Sequence, residues 1–173
     1  LQKWALDLKS RGVLLAVCSK NDESNARAPF LERSEMQLSL DDFAVFLANW
    51  EPKYQNIQKI REQLNIGYDS IVFIDDNPVE RDSVRNFLPE VIVPELPADP
   101  ENYCDYLIGL NLFDAPQVTA EDGARTEMIQ AERARGEMLA QHESFADYLQ
   151  SLEMAAVWSP VLAGSVKRSA QLF

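Results

Sequence analysis

Basic charge, cysteine and histidine are what this sequence is short of. Its 16 lysines and arginines face 28 aspartates and glutamates, giving a net charge of −12 with the one histidine neutral. That deficit argues against gripping nucleic acid, because a phosphate backbone is held by a basic surface. A phosphorylated small molecule remains compatible, provided that a lysine or a divalent cation sits in the site itself. The two cysteines, Cys18 and Cys104, are too far apart for zinc-type spacing or a disulfide framework. A reduced, cytoplasmic setting is therefore expected. The single histidine, His142, stands among polar residues and is assigned no role. No apolar run approaches the roughly 18 residues a membrane span needs. The opening LQKWALDLKSRG is amphipathic rather than signal-like, so neither export nor membrane contact is expected. What is present is 173 residues, 46% of them apolar, enough for one domain with a substantial core.

The first half alternates helix and strand in short units. Residues 1–11 read as the end of an amphipathic helix stopped by Gly12. VLLAV at 13–17 is a continuous apolar run, the pattern of a strand buried on both faces. Asn21 and Asp22 are good helix starters, and a helix is expected from them to about Phe30. VFLA at 45–48 is a second candidate strand, and Pro52 opens a helix to about Leu64. IVFI at 71–74 is a third strand, Pro78 opens a helix to about Leu88, and VIVP at 91–94 is a fourth strand. This alternation predicts βαβ units and a Rossmann-like parallel α/β sheet. The second half is expected to be mostly helical, with helices at 99–112, 119–141, 144–152 and 163–172 and a short strand at 154–158. The expected division is a core at 1–97 and a helical extension at 98–173.

In open parallel sheets, ligands bind just outside the carboxyl ends of the strands. Three exits therefore matter: Cys18-Ser19-Lys20-Asn21-Asp22, Asn49-Trp50-Glu51-Pro52-Lys53 and Asp75-Asp76-Asn77-Pro78. Connectivity alone predicts that a hydroxyl, a lysine and a carboxylate pair meet on one rim. Adjacent carboxylates repel each other unless a cation is near. Magnesium suits Asp75 and Asp76, because it takes one or two carboxylates together with phosphate and water. The alternative is a turn in which Asp76 or Asn77 caps the following helix. Lys53 lies in the first turn of a helix, where the dipole disfavours a cation, so it needs an anion: a phosphoryl group or a carboxylate. Otherwise it is a solvated lysine. Ser19 offers a hydroxyl beside backbone amides. Lys20 reads as a surface lysine. Cys18 is either a small buried hydrophobe or a thiolate nucleophile activated by Lys20 or by the next helix. Trp50 is a pocket wall or core, and Cys104 packs.

The order Ser19, Lys53, Asp75-Asp76 resembles the second, third and fourth motifs of the haloacid dehalogenase superfamily, whose core is a three-layer α/β/α sandwich. More narrowly, VCSKND at 17–22, FLANWEPK at 46–53, IVFIDDNPVER at 71–81, VPELP at 93–97 and LNLFD…VTAED at 110–122 resemble the FkbH-like subfamily. The resemblance implies a domain that takes a 1,3-bisphosphoglycerate-type donor, removes phosphate and loads the glyceryl unit onto an acyl carrier protein in polyketide-type biosynthesis. It implies that Ser19 binds phosphoryl oxygens, Lys53 neutralises the nucleophile and phosphate, Asp75 with Asp76 holds Mg2+, and Cys18 carries the acyl group.

One motif does not match. The attacking aspartate of that superfamily, in Asp-x-Asp-x-Thr on the central first strand, has no counterpart; ALDLKS at 5–10 has the wrong spacing. The expectation is a fragment without that strand, exposing strand edges, poorly stable alone and inactive through aspartate. Two other functions compete: a plain magnesium-dependent small-molecule phosphatase, and a non-catalytic module that binds carrier proteins. The polar helix at 119–141 reads as solvated, with docking of a carrier protein as the alternative.

Overall fold

The structure, a computed structural model, describes residues 1–113 and 124–140. The chain divides into two compact units, Leu1–Ala134 and Arg135–Phe173. Every site residue discussed below lies in the first. The expected helices at 144–152 and 163–172, the strand at 154–158, and His142 fall outside the described residues.

Helix α1 spans Gln2–Ser10 and ends where Gly12 takes φ 88°, a conformation open to glycine at little cost. The amide of Gly12 donates to the carbonyl of Lys9, and that of Val13 to Leu8. These bonds close the helix and commit residues 12 and 13 to its exit. The first strand, β1, is therefore Leu15–Ser19, displaced toward the site from the expected 13–17. Helix α2, Glu23–Glu32, crosses to β2, Phe43–Ala48. β2 starts two residues earlier than expected, released by a turn at Leu40–Asp42 that the side chains of Ser39 and Asp42 cap reciprocally. The two strands pair in parallel from Leu15 opposite Phe43 to Ser19 opposite Ala48. Phe30 of α2 meets Phe43 and Phe46 edge-on at 5.3 and 5.9 Å, which seats the crossover on the sheet.

Helix α3 spans Lys53–Leu64, with Pro52 at its cap position and Asn65 left-handed at its end (φ 50°). It joins two cores. Ile57 packs with Phe73, Val84, Leu88 and Val91; Ile60 and Leu64 pack with Ala44 and Val45. Apart from Ala44, each such side chain contributes about 1.5–3 kcal/mol by leaving water. Helix α4, Pro78–Phe87, supplies the fully buried Val84.

The third and fourth expected strands shrink to a single parallel bridge between Val72 and Ile92. Two bonds hold it: the amide of Phe73 donates to Ile92, and the amide of Ile92 donates to Ile71. A ladder cannot extend along 91–94, because the Val93 carbonyl accepts from Arg85 and Pro94 has no N–H. On its other side, 71–74 faces a cavity of about 690 Å³, whose lining includes Leu15, Ala16, Cys18, Val72, Phe73 and Ile74. The expected four-stranded sheet is thus seen as a two-stranded parallel ladder and a bridge, separated by an apolar cleft.

Beyond them lie a turn at Pro100–Asn102, then α5 at Tyr103–Gly109, a shorter helix than the expected 99–112. Helix α6 is Arg125–Ala140. Gln130 of α6 donates to the carbonyls of Asp41 and Phe43, and Ile129 packs against the second core. No described helix is long and apolar enough to cross a membrane.

Candidate functional site

The three exits converge. The amide of Asn49, just past β2, donates to the carbonyl of Ser19, the last residue of β1. The Cys18 thiol donates to the carbonyl of Lys53 at 3.6 Å. Lys53 in turn forms an ion pair with Asp75. Lys53 and Asp75, predicted to share a rim, meet there, while Ser19 ends β1 at the neighbouring exit.

Asp75 is buried, its side chain 4% exposed, and both its oxygens are occupied. Oδ1 accepts from the amide of Asn77 at 3.0 Å and Oδ2 from the Lys53 ammonium. The unfavourable position of Lys53 at the start of α3 is thereby offset by a carboxylate. Asp76 is exposed, and among the described residues no hydrogen bond or ion pair reaches its carboxylate. Helix capping falls to Asn77, whose side chain accepts from the amide of Val79 at 2.9 Å, with Pro78 in the first turn. Both acids are thus free of the capping task that competed for Asp76 in the sequence. Asp22 also occupies a cap position, but its side chain makes no cap bond and accepts instead from the indole N–H of Trp50 at 2.8 Å. Trp50 is 70% exposed, so it stands at the rim rather than in the core.

Sequence reasoning missed several contributors. Lys20 is exposed, as expected of a surface lysine, but it pairs at 2.6 Å with Glu80 of α4, whose side chain is only 12% exposed. Asn49 and the fully buried Asn56 exchange side-chain hydrogen bonds at 2.7 and 3.1 Å, bracing the loop that carries Trp50. Arg81 is 5% exposed, and one of its nitrogens, Nη1, donates to the carbonyls of both Asp75 and Asp76 at 2.9 Å. Its other terminal nitrogen pairs with Glu95, which also takes Arg85 at 2.7 Å. The Arg85 guanidinium, with that of Arg81, holds the Glu95 carboxyl below its usual range. A signal for Arg81 existed: Arg81, Val84 and Leu88 share one helical stripe, so the arginine had to be buried with them.

Cys18 packs against both cores. Burial pushes its thiol from 9.0 up to about 12, against the opposing pull of Lys53. Lys20, the expected activator, is engaged with Glu80.

Among the described residues no cluster of three or more His, Cys, Asp and Glu side chains is assembled. Two carboxylates at the mouth of an apolar segment do fit magnesium, which completes its shell with water and phosphate.

The arrangement is that of an α/β protein with an acid–lysine site where parallel segments end. The chain is similar to a solved structure of the N-terminal part of a Bacteroides fragilis protein, which contains a phosphatase domain and was crystallised with Mg. The two are 56% identical, with a TM-score of 0.66 over 67% of this chain and 31% of that one. The chain thus spans about a third of the length of that neighbour. No protein-family model matches the chain, and no curated protein does.

Proposed function

We propose that the chain carries the phosphate- and magnesium-binding part of a haloacid-dehalogenase-type phosphatase domain acting on a phosphorylated small molecule. The observation that carries this reading is the buried Lys53–Asp75 pair beside an unpaired Asp76, on the rim where β1, β2 and 71–74 end. Likeness to a magnesium-bound phosphatase domain at 56% identity supports it. Lys53 supplies the positive charge that a phosphoryl group needs and also restrains Asp75. The Ser19 hydroxyl and the amides following β1 would donate hydrogen bonds to the remaining phosphoryl oxygens. Asp75 and Asp76 would hold magnesium, which supplies charge neutralisation at the phosphate. The attacking aspartate of the superfamily's first motif has no counterpart in this sequence, so these residues bind and orient rather than attack. The apolar cleft between β1 and 71–74 is consistent with a sheet that takes a further strand there.

Of the two finer readings, the geometry favours the plain phosphatase over glyceryl loading. Acyl transfer needs a thiolate, whereas Cys18 is half-buried, donates to the Lys53 carbonyl and holds its proton at neutral pH. In this reading Cys18 packs, and an acyl carrier protein as partner rests on the FkbH-like resemblance alone. Calorimetry on the full chain tests the proposal. Inorganic phosphate should bind measurably only when Mg2+ is present, and Lys53→Met or Asp76→Asn should abolish that binding. Equal phosphate binding with and without Mg2+ would defeat it.

A further inference from the structure

We propose that Arg81 is the positioning residue of this site: its guanidinium fixes the Asp75–Asp76 turn from the buried side and so sets the metal affinity of the two carboxylates. This rests on the magnesium reading above.

In an extended segment successive residues point to opposite faces, and so do their carbonyls. The carbonyls of Asp75 and Asp76 instead converge on the same nitrogen, Nη1 of Arg81, each at 2.9 Å. The chain must turn at these two residues for that to occur. With both carbonyls committed inward, the side chains are directed elsewhere: Asp75 toward Lys53 and Asp76 toward solvent. The guanidinium also sets a positive charge behind two adjacent carboxylates, easing their mutual repulsion before any cation arrives.

Pairing with Glu95 does not account for this burial. Glu95 has a side chain 60% exposed, and ion pairs to exposed carboxylates contribute little. Burying a guanidinium is costly, and the Nε of Arg81 finds no partner among the described residues. The two backbone bonds are what compensate. Lysine cannot substitute, because a single ammonium has no planar fork to span two carbonyls and a carboxylate at once.

The test is Mn2+ binding, read by electron paramagnetic resonance, to the full chain and to Arg81→Lys and Glu95→Gln, each checked for cooperative melting. Arg81→Lys should weaken Mn2+ binding by about tenfold or more, the loss typical when an outer-sphere group that orients ligands is removed. Glu95→Gln, which leaves the carbonyl bonds in place, should stay within about twofold of the parent by the same measure. Equal weakening in both variants would reduce Arg81 to a partner of Glu95 and overturn the proposal. An unchanged Arg81→Lys would do the same while leaving the magnesium reading intact. No Mn2+ binding by the parent chain would bring down both. Should Arg81→Lys fail to fold, nitrogen NMR of the unaltered chain decides. The Arg81 guanidinium resonances should move on Mg2+ addition, and their staying fixed would refute the role.

Discussion

Lys53 and Asp75, 22 residues apart in sequence, form an ion pair that ties the start of α3 to the end of the segment 71–74. The contact explains two local anomalies together. A lysine at a helix amino terminus and a carboxylate buried against an apolar segment are each unfavourable alone. Set against each other they become a preorganised charge pair.

Removing one partner should therefore cost far more than removing both. Lys53→Met strands a buried carboxylate and should lower the unfolding free energy by about 3 kcal/mol, toward the low end for broken buried pairs because Lys53 is partly exposed. Lys53→Met with Asp75→Asn should recover most of that loss. Urea denaturation measures both; equal losses would show that the pair is not coupled.

Cys18 makes a pH-dependent contribution whose sign follows from its raised value of about 12. Well below pH 9.0, its ordinary value, the thiol is protonated in folded and unfolded chains alike. Between there and about 12 the unfolded chain loses the proton first, so stability falls as pH rises. The slope is about 1.4 kcal/mol per pH unit. Other groups titrate in that range, so the measured quantity is the difference between the parent and Cys18→Ala, whose profile should be flatter. At neutral pH the native thiol should react with iodoacetamide far more slowly than in urea.

Asn56 has no exposed surface, and among the described side chains its amide is satisfied by Asn49 alone. Asn56→Ala leaves Asn49 short of partners and should cost about 1–3 kcal/mol. It should also loosen the loop that holds Trp50, seen as lower tryptophan anisotropy. Unchanged anisotropy with the stability lost would mean that the pair supports the core and not the rim.

Ser19 offers a hydroxyl with no hydrogen-bond partner among the described residues. Ser19→Ala should leave the melting temperature unaltered and weaken Mg2+-dependent phosphate binding about tenfold, the worth of one hydrogen bond to a charged group. Unaltered phosphate affinity would remove Ser19 from the site.

Periodicity made the alternation of helices and parallel strands legible, and the rule that ligands sit at strand ends picked out the exits carrying Ser19, Lys53 and Asp75. Observed β1 starts two residues after the expected strand because the exit from α1 uses Gly12 and Val13, a choice of backbone hydrogen bonds that hydropathy does not express. The strands at 71–74 and 91–94 were overestimated for a similar reason: an apolar run reports burial, whereas a ladder needs partners, and Arg85 and Pro94 remove them.

By itself the sequence determined how helices alternate with extended segments over the first half and which residues leave each segment, because both follow from local pattern and connectivity. It could not decide which charges meet. Lys20 with Glu80, Arg81 with the carbonyls of Asp75 and Asp76, and Asp22 with Trp50 are contacts between segments distant in the chain or turned by a backbone that only packing sets. An ion pair depends on separations of a few ångströms, and that precision exists only once the helices and strands have closed on one another.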